Sequence, residues 1–264
     1  MTLSRYTTAA LAVATSVSIT GLGVSPALAA DDVNKGPKNI IYMIGDGMGY
    51  GHIALTNLYE TGQSKYLVDG EFGAEDLEES DGQSVQSFED FNRLSMATFP
   101  MGGSYDPEQA WQNHEYIKEG KITDSAAAGT AMATGVKTNN GILGMSHYGM
   151  EEENMSERAK KQGKSAGVVS SVAYSEATPA AWAAHNKDRD KLQDISREML
   201  GSAFDLVMAA GHPFYDNDHQ KVDTPDYSFM YEDDYAKLSG GETDWNYFES
   251  NDDFKKMAQG DVKP

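Results

Sequence analysis

Three nearly continuous apolar runs constrain what this chain can fold into. They lie at 39–44 (NIIYMI), 165–173 (SAGVVSSVA) and 204–211 (FDLVMAAG). Short apolar runs of this kind predict strands that are buried on both faces, as in a parallel sheet. Because segments of helical character separate them, we predict an α/β fold, a three-layer sandwich around a mostly parallel central sheet.

Predicted helices fill the intervals between the runs. We expect helices at 50–60, 125–134 and 151–162, the last ended by Gly163, and a short helix within 88–95. A further helix starts at Thr178, with that residue as its N-cap and the following proline in its first turn. The acidic stretch 71–89 is predicted to be a surface insertion, and 216–264 shows no strong periodicity.

Composition excludes several classes of function. The 264 residues include 41 Asp+Glu against 21 Lys+Arg, a formal net charge of -20. A surface of that sign repels polyanions, so no nucleic-acid or membrane binding surface is expected. The chain has no Cys, which excludes disulfides, thiolate zinc sites and a cysteine nucleophile. Any metal must therefore be bound by Asp, Glu, His or hydroxyl ligands.

The first 29 residues have the pattern of a secretory signal peptide. Arg5 precedes an apolar run at 9–22, and an A-L-A site ends at Ala29. The alternative is a membrane anchor, but Thr, Ser and Gly interrupt the run and it is short for a bilayer. We therefore predict a periplasmic or secreted protein with one α/β domain at 30–264.

Asp46 lies directly after the first predicted strand, within the glycine-rich segment GDGMG at 45–49. In open α/β sheets ligands bind at the carboxyl ends of strands, and glycines let the backbone approach a ligand closely. A carboxylate in that place suits a hard or borderline cation. The alternative is a tight turn in which Asp46 makes only a local hydrogen bond.

Ser125 is predicted in the first turn of a helix of small residues, with Asp124 or Thr123 as its cap. The free N–H groups and the positive end of the helix dipole favour an anion such as phosphate there. A serine needs a base or a metal to act as a nucleophile, and no G-x-S-x-G elbow is present. The alternative is a structural capping pair on a core helix.

Three segments together resemble the alkaline phosphatase family: IGDGMG at 44–49, ITDSAAAGTAMATGVKTNNGILGM at 122–145 and ATPAAWAAH at 177–185. The middle segment is the most specific, and the resemblance runs in order from about Asn39 to Ala210. It implies hydrolysis of phosphate monoesters through a phosphoserine intermediate, with two Zn²⁺ and one Mg²⁺. It is also compatible with a homodimer.

The resemblance implies roles for particular residues. Ser125 matches the family's nucleophile, which a zinc ion coordinates, and Asp46 matches the carboxylate that bridges a zinc and the magnesium. Thr178 matches a hydroxyl ligand of the magnesium. Glu176 stands where the family more often has Asp or His near that ion.

The resemblance assigns phosphate binding to an arginine. Arg189 matches the guanidinium that binds two phosphate oxygens, and its planar fork suits bidentate binding. Arg197 is a rival for this role. The run DSAAAGT argues against two other activities of the superfamily, sulfatase and phosphodiesterase.

The sequence departs from the family pattern downstream. A segment of the type E-G-x-x-I-D-x-x-x-H, which supplies further zinc ligands in the family, is not found in it. The resemblance therefore implies the N-terminal portion of an alkaline phosphatase with an incomplete sheet, and we expect little phosphatase activity from this chain alone. The alternative function is that of a non-catalytic exported protein that binds phosphate or metal.

We expect export to remove residues 1–29, so that the secreted protein begins at Ala30. N-terminal sequencing of secreted material measures this directly. Secreted protein that still starts at Met1 would contradict the predicted leader.

Overall fold

The computed structural model describes residues 37–66, 68–69, 78–79, 82–103, 106–116, 122–218 and 220–261. The predicted leader and residues 71–77 and 80–81 of the acidic stretch 71–89 lie outside the described residues. The chain divides into two units, one that ends at Ile44 and one that begins at Gly45. The second unit contains all the elements named below, and each unit is described by itself.

The described elements are mostly short helices. The strands are β1 (Val68–Asp69), β2 (Glu78–Glu79), β3 (Gly167–Ala173) and β4 (Leu206–Ala210). A 3₁₀ turn lies at Ser87–Asp90. The helices are α1 (Tyr50–Thr61), α2 (Pro107–Gln112), α3 (His114–Tyr116), α4 (Ser125–Thr134), α5 (Met155–Lys161), α6 (Ala177–Ala180), α7 (Leu192–Leu200), α8 (Glu232–Ser239) and α9 (Asn251–Gln259).

A parallel pair of strands confirms the predicted α/β class. β3 and β4 pair in parallel, with Gly167 opposite Leu206 and Val169 opposite Met208, and the register becomes irregular before Ala173. Parallel strands need a long crossover connection, and here α6 and α7 lie in that connection. β1 and β2 form a separate antiparallel pair.

The Asp205 carboxylate joins the end of α5 and the start of β3 to the start of β4. The ammonium of Lys160 lies 2.8 Å from each carboxylate oxygen of Asp205, which directly precedes β4. The same carboxylate accepts a hydrogen bond of 2.8 Å from the Ala166 N–H, directly before β3. Hydrogen bonding to Lys160 holds the pKa of Asp205 below its usual value, so the carboxylate stays ionised at neutral pH.

The hydrophobic core covers one face of the β3–β4 pair. Side chains of β3, β4, α6, α7 and α8 form it, and Ile195 and Met199 of α7 are fully buried within it. Val168 and Val207 face this core, whereas Val169 on the opposite face is 65% exposed. β3 and β4 therefore lie where strands were predicted, but they are buried on one face only and not on both.

The predicted first strand at 39–44 is wrong. These residues have no regular secondary structure, and Ile41 and Met43 are 86% and 88% exposed. An apolar run indicates which side chains favour burial, but a strand also needs a neighbour to pair with its backbone. Among the described residues, no strand pairs with 39–44.

The predicted helices fare better. α1 and α4 match their predicted bounds closely. α5 begins later than predicted, because the Asn154 side chain caps it and accepts a hydrogen bond from the Glu157 N–H. The cap of α6 is Glu176 and not Thr178, which lies inside the helix. A 3₁₀ turn replaces the predicted helix at 88–95.

Helices α8 and α9 were not predicted. Each has only 8 or 9 residues, and their acidic surroundings hide a short amphipathic pattern. Leu238 is the buried residue of α8, whereas α9 has no buried side chain among those described. Within the described part of the chain, no helix combines the length and apolar character needed to cross a bilayer.

Tyr174 makes the core sensitive to alkaline pH. Its ring is buried, its hydroxyl shares a hydrogen bond with Ser196 of α7, and burial raises the pKa of Tyr174 to about 12. The folded state therefore favours the neutral phenol. This contribution to stability is complete below the unfolded value of 10.0 and is lost as the pH rises through the folded value.

We expect the free energy of unfolding to fall further in the parent protein than in Tyr174→Phe, by about 2 kcal/mol between about pH 9 and about pH 11.5. At the lower pH the variant is less stable by about 1 kcal/mol, because Ser196 loses its partner. Urea denaturation at both pH values measures the two effects. An equal decline in parent and variant would show that Tyr174 is not the titrating group.

Candidate active site

Asp46 is presented by a tight turn at the start of the second unit. The Met48 N–H donates to the Gly45 carbonyl over 3.1 Å, and Gly47 adopts a φ of 65°, which favours glycine. α1 then begins after Gly49. Asp46 therefore projects from a turn whose backbone is fixed by hydrogen bonding and by the following helix.

Ser125 is the first residue of α4, as predicted. Asp124 caps this helix, and its carboxylate accepts a hydrogen bond of 2.8 Å from the Ala127 N–H. The small side chains of α4 allow a close approach to α6. A Cβ at Gly129 would lie 2.8 Å from the Cβ of Ala181, so only glycine permits this packing.

Three oxygen-bearing side chains meet at this contact between helices. The Ser125 hydroxyl donates to Oδ2 of Asp46 over 2.8 Å, and the Thr178 hydroxyl donates to the same oxygen over 2.7 Å. Ser125 begins α4 and Thr178 lies in α6, so the helix packing places both hydroxyls beside one carboxylate. The three side chains therefore converge, although of the three residues only Thr178 closely follows a strand.

Arg189 lies between two carboxylates next to this group. Its Nη1 is 3.3 Å from Oδ2 of Asp124 and its Nη2 is 3.7 Å from Oε2 of Glu176. The backbone at Gly141 connects the same residues: its N–H donates to Asp124 over 2.8 Å, and its carbonyl accepts from the Arg189 N–H over 2.9 Å. The Arg189 side chain is 27% exposed.

The rival arginine has other partners. Arg197 pairs with Asp233 and Asp234 of α8, over 3.2 Å and 2.6 Å, and its guanidinium lies 4.0 Å from the centre of the Tyr231 ring. The structure thus brings Arg189, and not Arg197, into contact with Asp124 and Glu176.

The family of the chain follows from comparison with known proteins. The alkaline phosphatase sequence profile matches residues 37–212, which carry this whole group of side chains. The chain belongs to the alkaline phosphatase family. Alkaline phosphatase 4 of Bacillus subtilis is 31% identical over 185 residues, which cover 67% of this chain and 34% of that protein. Alkaline phosphatase of Escherichia coli is 33% identical over 156 residues, 59% of this chain and 27% of that protein.

A solved structure shares the fold of this family member. The cold-active alkaline phosphatase from a psychrophilic Shewanella aligns with a TM-score of 0.53 at 21% identity, over 82% of this chain and 42% of that one. At this identity the similarity concerns the fold alone. The chain spans about a third of the length of the first curated relative and about a quarter of the second, at 34% and 27%.

The donor set of the site fits magnesium better than zinc. Mg²⁺ takes oxygen ligands, often only one or two carboxylates with water and phosphate. Asp46 and Thr178 bring such oxygens together, and Glu176 lies two residues before Thr178. A catalytic zinc needs about three protein ligands, commonly including histidine. In the described residues, no group of three or more His, Asp or Glu side chains could hold a metal. The described residues therefore do not fit the implied pair of zinc ions.

One connection escaped the sequence prediction. Asp124 was predicted only as a helix cap, yet it also contacts Arg189 and the Gly141 N–H. The partners lie 65 and 17 positions along the chain, and no local pattern signals a contact at such separations. The only sign of it in the sequence is the glycine in TNNGILG, at position 141. Glycine is favoured where the backbone needs a positive φ, and Gly141 adopts a φ of 85°.

We expect Asp124→Ala to lower the free energy of unfolding by about 2 kcal/mol, because it removes both a helix cap and the acceptor of a loop N–H. Asp106→Ala is the matched control. Asp106 caps α2 through hydrogen bonds of 3.1 Å, but α2 has no buried residue, so the loss should be about 0.5 kcal/mol or less. Urea denaturation of both variants measures the difference, and equal losses would contradict a special role for Asp124.

Proposed function

We propose that this chain carries the nucleophile and the phosphate-binding arginine of an enzyme that hydrolyses phosphate monoesters. The observation that supports it is the meeting of Ser125, Asp46 and Thr178, with Arg189 beside them, in a member of the alkaline phosphatase family. Because the chain spans only about a third of one relative and about a quarter of the other, activity, substrate and partners of the whole protein belong to this proposal.

In the proposed reaction Ser125 attacks phosphorus. Its Oγ forms a bond to phosphorus while the bond to the ester oxygen breaks, and the leaving alcohol takes up a proton from water. The serine proton is held at Oδ2 of Asp46, 2.8 Å away, which lies within reach for proton transfer. Water then attacks the phosphorus of the phosphoserine while its bond to Oγ breaks, and Oγ takes back the proton held at Asp46. The proton lost by the attacking water neutralises the hydroxide that formed when water protonated the alcohol, so the net products are the alcohol and inorganic phosphate.

Arg189 is proposed to bind two oxygens of the phosphoryl group. The transition state of phosphoryl transfer is loose and spreads charge over those oxygens, so positioned positive charge contributes most of the catalysis. Asp124 and Glu176 hold the guanidinium at the start of α4. The backbone N–H groups at that helix start favour the same anion.

The charge of the site explains why a cation is needed. Asp46, Asp124 and Glu176 carry three negative charges against the single positive charge of Arg189, so the group repels a phosphate dianion. Asp46, Thr178 and Glu176 would hold Mg²⁺, which supplies positive charge that neutralises the substrate when it is bound. The described residues lack a full zinc ligand set, so no step is assigned to zinc.

Two further parts of the proposal rest on sequence patterns. A removable leader at 1–29 precedes a single domain at 30–264, and the protein acts in the periplasm or outside the cell. Formation of a homodimer stays a prediction.

The experiment is turnover of p-nitrophenyl phosphate by the purified chain with Zn²⁺ and Mg²⁺ present. We expect slow turnover that Ser125→Ala and a chelator each reduce to background, because the first removes the nucleophile and the second the counter-charge. Ser156→Ala is the control, since Ser156 lies in the first turn of α5 as Ser125 does in α4.

Two outcomes would contradict the proposal. Turnover that survives Ser125→Ala would place the chemistry elsewhere. Binding of inorganic phosphate with no turnover in any metal mixture would instead favour the alternative, a non-catalytic protein that binds phosphate.

A further inference from the structure

Arg189 lies in the segment 185–189, which we call the arginine segment. This segment lies in the connection from α6 to α7 and is neither helix nor strand. Asn186 and Leu143 exchange two backbone hydrogen bonds, of 2.8 Å and 2.9 Å. The Arg189 N–H donates to the Gly141 carbonyl over 2.9 Å. The position of the guanidinium therefore depends on contacts from outside the segment.

The loop at 141–144 supplies part of this support from one side of the segment. Gly144, with a φ of 60°, brings the loop so close that a Cβ there would lie 2.1 Å from the Ala184 carbonyl oxygen. The buried Thr130 hydroxyl of α4 accepts a hydrogen bond of 2.9 Å from the Gly144 N–H. This loop thus links the arginine segment to the helix that carries Ser125.

Glu198 of α7 holds the segment from the other side. Its Oε2 accepts a hydrogen bond of 2.7 Å from the His185 N–H, and its Oε1 accepts one of 2.8 Å from the Asn186 side-chain amide. Both carboxylate oxygens are used, one on each of the first two residues of the segment. Hydrogen bonds to an ionised acceptor are shorter and stronger than those between neutral groups.

The helix that carries Glu198 is itself well anchored. Ile195 and Met199, which precede and follow Glu198 along α7, are fully buried, and both belong to the hydrophobic core. A side chain on such a helix has a defined position, which it passes to whatever it binds.

We propose that Glu198 is a positioning residue for Arg189, which it serves by fixing the start of the arginine segment to α7. This inference rests on the proposed function for its catalytic meaning, because Arg189 matters there as the phosphate-binding group. Its hydrogen bonds in the described part of the chain go to His185 and Asn186, so Glu198 acts through these two residues rather than by touching Arg189 itself.

The first test is amide hydrogen exchange in the full chain. We expect the Asn186, Arg189 and Leu143 amides to exchange at least about tenfold faster in Glu198→Ala than in the parent, because the segment opens more often. Asp194→Ala is the matched control: Asp194 is also a carboxylate on α7, but it accepts from the Tyr231 hydroxyl over 2.8 Å. Unchanged exchange in Glu198→Ala, or an equal rise in the control, would overturn the proposal.

The second test asks whether the effect reaches phosphate. We expect Glu198→Ala to raise the KM for p-nitrophenyl phosphate and the inhibition constant of inorganic phosphate together, by about tenfold, while kcat falls less. Glu198→Gln should lie between parent and alanine variant, since its amide oxygen keeps one acceptor. A uniform fall in kcat with both constants unchanged would overturn the role.

The two proposals fail in different ways. A parent chain without Ser125-dependent turnover refutes the proposed function, whereas hydrogen exchange still decides whether Glu198 holds the arginine segment. Turnover that depends on Ser125, together with exchange that ignores Glu198, refutes the positioning role alone.

Discussion

The close approach of α4 and α6 is the contact on which the site depends. Gly129 and Ala181 meet where a larger side chain has no room, and the absence of bulk lets the two helices bring their hydroxyls together. Ser125 and Thr178 consequently share one oxygen of Asp46. Interiors are packed too densely to absorb an added methyl group without a shift, so these small residues set the geometry of the hydroxyl pair.

Arg189 is fixed through a second set of contacts, and all of them are polar. Asp124 caps α4 and also contacts the guanidinium, so the start of the nucleophile's helix and the arginine share one carboxylate. Gly141 connects the two backbones, and Glu198 holds the other end of the segment. The result is an arginine placed among carboxylates in a strongly acidic protein, where a bound cation can offset the local negative charge.

The described residues cover only one of the two faces of the β3–β4 pair. One face packs against α6, α7 and α8, and the other leaves Val169 and Met208 substantially exposed. The core nevertheless includes fully buried side chains on α6 and α7, and α6 also carries Thr178. The family profile covers this region up to residue 212, so the elements that build the site belong to its matched part.

The sequence by itself determined the local features of this protein. Cap residues, small-residue runs and glycine turns act over a few positions, so α1, α4 and the strands β3 and β4 could be predicted, and Asp46 and Ser125 stood out by their local setting. Thr178 and Arg189 were candidates for the site only through the resemblance to the family. Only the tertiary structure decided which apolar runs pair: 39–44 reads as a strand but has no partner among the described residues. It also decided that Arg189, not Arg197, contacts Asp124, and that Glu198 supports its segment. These contacts join residues far apart along the chain, where side-chain type gives no measure of distance in space.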